Sequence, residues 1–317
     1  MALKENKYYW EVSLKHPEPV VDDYYVFDHI IVSDENLVEK IERLRELIVS
    51  YCVMREKDKK WASKILDEIY EIVISTDKIQ YTEFIAFWKS LDMSYSIFKK
   101  LPNKRYILEE LLKRYCKRRR KLYDKLGYSN VTVQALYDSG TSRKKGSSGI
   151  VKLIDIVEKI FGKVPHIQNV ELIEVPVGYF LPDKGDESIF EEFCNKFGIK
   201  YRFGREHQGK LPDMVLKVNK DFFIIEAKHI KESGGAQNKQ ILELIEFIKY
   251  SEDLDNIHYL SFMDGIYFNN FIWVGNNIDN KIYRQKKTIE MYLDRNKNNF
   301  FVNTKGFITL LRDLKDK

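Results

Sequence analysis

Apolar residues recur every three to four positions through the first third of the chain. Ser33-Asp34-Glu35 supplies a helix start, and Leu37, Ile41, Leu44, Ile48 and Cys52 follow on one face. The same period predicts helices over about 61–74, 82–91 and 104–126. Such one-sided stripes are core faces, and they carry no chemistry. The pattern lapses in Asp138-Ser139-Gly140-Thr141-Ser142-Arg143-Lys144-Lys145-Gly146-Ser147-Ser148-Gly149, whose small polar residues predict a boundary or a functional loop. A helix over 150–161, a strand over 170–177, a loop over 180–187 and a short helix over 188–197 follow. After Gly198 the period shortens, predicting strands over 199–203, 214–218 and 222–227, then a helix over about 237–250. Two further apolar runs, 257–262 and 271–274, complete a mixed half. The expected architecture is α/β, a mainly helical region (1–138) followed by a sheet-and-helix region (139–317).

Composition narrows the class. With 44% hydrophobic and 32% charged residues among 317, the chain is too apolar for disorder and too charged for a membrane protein. No apolar run approaches the ~18 residues of a membrane span. The start, Met1 to Lys7, leads into charged and aromatic residues rather than a signal core. Three widely spaced cysteines (Cys52, Cys116, Cys194) suggest neither a disulfide framework nor a zinc site, and they fit a reducing cytoplasm.

Charge changes the picture only once it is located. The net +5 conceals a segment, Lys99 to Lys145, with 15 Lys/Arg and 4 Asp/Glu. Its densest part contains Arg118, Arg119 and Arg120, followed by Arg143, Lys144 and Lys145. Closely set cations release counterions from a nucleic acid and so supply sequence-independent affinity. In the 139–149 loop, Ser147, Ser148 and the glycine N–H groups add donors suited to phosphates. An ordinary solvated basic helix is the competing explanation for the first cluster, and a hinge for the second.

The chemistry is concentrated in the run from Lys210-Leu211-Pro212-Asp213 to Glu226-Ala227-Lys228. Two antiparallel strands joined by a turn at Asn219-Lys220 account for the intervening residues. Glu226 and Lys228, two apart, project from one face, with Asp213 beside them at the open end of the hairpin. Two carboxylates and a lysine at the end of an apolar strand need partners, and a hard divalent cation is one. A turn cap with a cross-strand ion pair is the plainer alternative. Pro182-Asp183 repeats the first half of the pattern but has no apolar strand behind it.

Pro212-Asp213, twelve residues, then Glu226-Ala227-Lys228 resembles the PD-(D/E)xK nuclease signature, and most closely that of type II restriction endonucleases. The following Lys231–Gln240 segment resembles the Gly-rich, Gln-containing stretch found after the catalytic lysine in several of these enzymes. The resemblance implies a restriction-endonuclease-like mixed sheet flanked by helices. It also implies Mg²⁺ held by Asp213 and Glu226, with Lys228 serving the nucleophile. Many members add a glutamate from a preceding helix; Glu191 and Glu192 stand where it would be expected, with Asp155 and Glu158 a weaker choice. The implied activity is hydrolysis of double-stranded DNA at a specific sequence, leaving 5′-phosphates. A homodimer and a cognate DNA methyltransferase are the implied partners. A repair or junction-resolving nuclease and a non-catalytic DNA-binding protein are the alternatives. The six histidines show no metal-binding spacing, and no phosphate-binding Gly loop of the ATPase kind occurs.

Overall fold

A computed structural model describes residues 3–25, 29–34, 36–140, 146–169, 174–232, 234–275 and 278–316, without the side chains of 140, 146–148 and 236. The chain divides into two units, Phe27–Lys144 and the combination of Met1–Val26 with Lys145–Lys317. The expected single cut after residue 138 therefore misplaces the first residues. Their helix, Asn6–Lys15, buries Tyr9 and Trp10 among the sheet-side clusters, and Asn6 donates to the carbonyls of Leu293, Asn296 and Asn299.

The smaller unit is helical. Helices Leu37–Met54, Lys59–Ser75 and Lys104–Arg118 turn their apolar stripes into one core. Asp58 caps the second by accepting from the Lys60 and Trp61 amides. A bidentate pair joins Arg45 to Glu83 at 2.8 and 3.0 Å. The expected helix over 104–126 is interrupted: Arg119 leaves helical geometry, and a new helix runs over Arg120–Leu126. Cys52 and Cys116 form a disulfide, with Cα atoms 5.7 Å apart, while Cys194 is free. The expectation of unpaired thiols is overturned because helix packing closes 64 residues of separation, which no spacing rule reveals.

The larger unit is built on five strands, β1 (Val177–Phe180), β2 (Met214–Val218), β3 (Asp221–His229), β4 (Ile257–Asp264) and β5 (Phe300–Val302), adjacent in that order. β1–β2 and β2–β3 are antiparallel, while β3–β4 and β4–β5 are parallel. Helix Gly235–Phe247 makes the crossover that a parallel β3–β4 pair requires. β3 buries both faces. Phe223 and Ile225 face helices Gly146–Phe161 and Thr304–Lys315, whereas Phe222 and Ile224 face Glu187–Phe197 and Phe247.

Three expectations near the sheet need correction. Residues 199–203 are no strand: Ile199, Tyr201 and Phe203 alternate toward one core, but Gly198 and Tyr201 take positive φ (+67° and +39°) and the chain turns into a helix, Arg202–Glu206. Residues 146–149 are helical rather than loop, and the 271–274 run falls largely in helix Asn270–Trp273. The strand expected over 170–177 lies partly outside the described residues, and β1 begins at Val177. Pro182–Lys184 is a single 3-10 turn. Among the described residues no helix is long and apolar enough to cross a membrane.

Candidate active site

The β2–β3 hairpin places the site. Asn219 takes φ +54°, a left-handed conformation that Asn tolerates, and this closes the tight turn. The register pairs Val218 with Asp221 and Met214 with Ile225. One further step sets Asp213 across from Glu226, so both side chains leave the same face. Asp213 Oδ2 accepts the Ala227 backbone N–H at 2.8 Å, which fixes the carboxylate against β3 where the β2 ladder ends. Lys228 shares that face. Its ammonium hydrogen-bonds Glu226 Oε1 and lies 3.7 Å from Asp213 Oδ2. The three residues singled out by the sequence therefore converge, and the cap and ion pair of the plainer reading are parts of the same arrangement.

The structure adds residues that the sequence reading assigned no role. Lys210 reaches Glu226 Oε1 at 2.5 Å and also pairs with Glu243 from helix Gly235–Phe247. Tyr201 lies among them electrostatically, its hydroxyl buried without a hydrogen-bond partner. Glu226 is completely buried, and its second oxygen, Oε2, also lacks a partner among the described residues. Burial, reinforced by the Asp213 charge, pushes the Glu226 carboxyl above the usual range. Burial opposes the charge on Lys228, but Glu226 and Asp213 outweigh it and hold its ammonium above the ordinary lysine value. For Lys210 burial wins, and its value is lowered.

The other expected residues are placed differently. Glu191 and Glu192 are exposed on helix Glu187–Phe197; Glu191 lines the cavity that Lys210 and Tyr201 also border, while neither makes a hydrogen bond or ion pair with Asp213, Glu226 or Lys228. Asp155 is engaged by Lys159 and Tyr24 on the helix that covers the opposite face. In the basic segment Arg118 is exposed, Arg119 lies 5.4 Å over the Phe87 ring, and Arg120 pairs with Asp124 at 2.7 Å. Two of these three arginines thus have intramolecular partners. Arg143, Lys144 and Lys145 and the side chains of Ser147 and Ser148 lie outside the described residues. His207 is hydrogen-bonded to the Phe203 carbonyl and stacked on that ring.

A second acidic cluster, Glu18, Asp22 and Asp264, has its carboxylate oxygens close enough to hold a metal ion. It lies beyond the far face of β3, where His229 points, opposite to Lys228. An ammonium already occupies it: buried Lys152 reaches Asp22 at 2.6 Å, Asp264 at 2.9 Å and Glu18 at 3.9 Å. Tyr25 donates a further bond to Asp264, and Thr304 N–H and hydroxyl donate to Glu18. The cluster is an internal ion-pair knot joining residues 18–25 to the end of β4. Burial and the Asp264 charge push Glu18 up to about 7, so the folded chain retains a proton that the unfolded chain releases from about 4.5 upward. The resulting stability is present below that lower value and is lost as pH rises through about 7. Glu18→Gln is expected to remove this slope. Wild-type stability relative to the variant should fall between about pH 5 and 8, read by denaturant midpoints at each pH. A pH-independent difference would contradict the assignment.

No family model matches the sequence, and no curated protein or solved structure shows significant similarity to it. What the coordinates define is an α/β chain with a five-stranded mixed sheet and a buried carboxylate–lysine cluster on a strand pair.

Proposed function

We propose that this chain is a Mg²⁺-dependent endonuclease of double-stranded DNA, of the type II restriction class within the PD-(D/E)xK superfamily. The observation that carries the reading is the convergence of Asp213, Glu226 and Lys228 at the end of an antiparallel strand pair inside a mixed sheet flanked by helices. That arrangement matches what the sequence resemblance implies.

The residues fit the cation. Oε2 of Glu226 is a buried carboxylate oxygen with no donor, which ordinarily costs about 1–3 kcal/mol, and a metal ion or its water would satisfy it. Asp213 and Glu226 supply the hard oxygen ligands that Mg²⁺ takes, with waters completing the set. When bound, Mg²⁺ polarises a phosphoryl oxygen and lowers the pKa of a coordinated water. Lys228, held protonated by its two carboxylates, orients the attacking water as a donor and offsets charge gathering on the phosphoryl oxygens. The Ala227 N–H keeps Asp213 aimed at the same point. In-line attack forms a new P–O bond and breaks the P–O3′ bond, leaving a 5′-phosphate and a 3′-hydroxyl that gains a proton.

The cationic segment from Lys99 to Lys145 supports a polyanionic substrate. Two equivalent strands are cut economically by a two-fold homodimer, and a sequence-specific cutter needs a methyltransferase that protects host DNA. Incubation with mixed-sequence plasmid and Mg²⁺ should give discrete bands that chelation abolishes. Cutting confined to branched DNA would point instead to a junction-resolving enzyme, and retardation without cutting to a binding protein.

A further inference from the structure

Within the proposed nuclease site a further ion pair stands beside Asp213, Glu226 and Lys228. Lys210 and Glu243 come from different elements, a segment just before β2 and the crossover helix, yet they meet at Glu226. Two ammonium groups, Lys210 and Lys228, share the single oxygen Oε1, while Oε2 on the same carboxyl has no partner. Lys228 is fixed by its place on β3 and by Asp213. Lys210 has a second anchor in Glu243, which is not part of the triad. Its side chain is 28% exposed and borders a cavity of about 430 Å³ lined also by Tyr201, Gly204, Arg205 and Leu211, so it has space to leave Glu226.

We propose that Lys210 is a resident counter-cation of the metal site, which neutralises Glu226 until Mg²⁺ displaces it onto Glu243. The inference rests on the nuclease reading and extends it to the chain's own regulation of metal affinity. Charge balance supports it. Asp213, Glu226 and Glu243 against Lys210 and Lys228 leave one negative charge, whereas without Lys210 the same carboxylates, Glu226 fully buried among them, would leave two. The retained ammonium lowers the apparent metal affinity, because a dication taken up at Oε2 meets the Lys210 charge across the same carboxylate until that side chain swings onto Glu243. Lys210 is thus a positioning residue that acts on Glu226 rather than on the phosphate.

The test reads metal binding without DNA. Full-length protein is titrated with Mn²⁺, and the free-ion electron paramagnetic resonance signal reports occupancy. Lys210→Met is expected to bind about tenfold more tightly than wild type, and Lys210→Arg, which keeps the cation, to stay close to wild type. Lys200→Met removes a charge from the same cavity and should change affinity less than about twofold, separating displacement from the general field. The double variant Lys210→Met/Glu243→Gln should remain as tight as Lys210→Met, since Glu243 acts only by receiving the ammonium. Unchanged or weaker binding by Lys210→Met overturns the proposal, as does loss of the gain in the double variant, which would make Glu243 a ligand. Equal binding by wild type and Glu226→Gln overturns the metal reading itself, a result distinct from any behaviour of Lys210.

Discussion

Replacing Lys228 with alanine is expected to lower the rate of DNA cleavage by about 10³-fold or more while leaving DNA affinity within a few-fold of wild type. The asymmetry follows from position. The Lys228 side chain is 18% exposed and enclosed by Glu226 and Asp213, and in the proposed reaction its ammonium serves the attacking water, so its loss should remove transition-state stabilisation. It is one cation, whereas binding to a duplex sums many phosphate contacts. Single-turnover cleavage and a gel-shift titration in Ca²⁺ separate the two quantities. Unimpaired cleavage by the variant would remove Lys228 from the mechanism, and a parallel collapse of binding would make it a contact residue instead.

The second large effect is on stability. Lys152→Met should cost the sheet unit about 3–5 kcal/mol, because it leaves Glu18, Asp22 and Asp264 crowded without their cation. Tyr25→Phe, which removes one hydrogen bond to Asp264 and leaves the ammonium, should cost only about 1–3 kcal/mol. Native-state hydrogen exchange of the β3 and β4 amides reads the unit directly, without assuming that both units unfold together. Lowering the pH toward 5 should shrink the Lys152→Met penalty as Glu18, already pushed up to about 7, takes its proton. A penalty below about 1 kcal/mol would mean that water penetrates the knot and solvates its carboxylates.

The β2–β3 hairpin of the candidate site is legible in the sequence because its determinants are local. A turn at Asn219, apolar runs of fixed period and two residues of spacing between Glu226 and Lys228 decide which side chains share a face. Lys210 and Glu243 are not legible in this way: 33 positions separate them, and only packing of the crossover helix against β3 brings them together. Tyr201 illustrates a different failure. Apolar alternation over 199–203 is a strand signal, but here turns at positive φ, not the pleat, direct the side chains to one side. The N-terminal helix carries little periodic signal because two of its buried residues are Asn6 and Ser13, which serve as hydrogen-bonding joints to distant backbone. By contrast, Phe307, Leu310, Leu311 and Leu314 show clear helical spacing, and that helix was within reach of the pattern alone. The basic segment shows that local charge density overstates availability, since Arg119 and Arg120 already have partners within the fold.

The most direct measurement is end-group analysis of one end-labelled duplex carrying the cleavage site, treated in parallel with wild type, Asp213→Asn and Glu226→Gln in Mg²⁺ and in chelator. The expected result is a single cut per strand by wild type in Mg²⁺ alone, bearing 5′-phosphate and 3′-hydroxyl ends, and no product from either variant. Equal cutting by the variants, or 3′-phosphate ends, would show that the carboxylates flanking Lys228 do not carry out the hydrolysis.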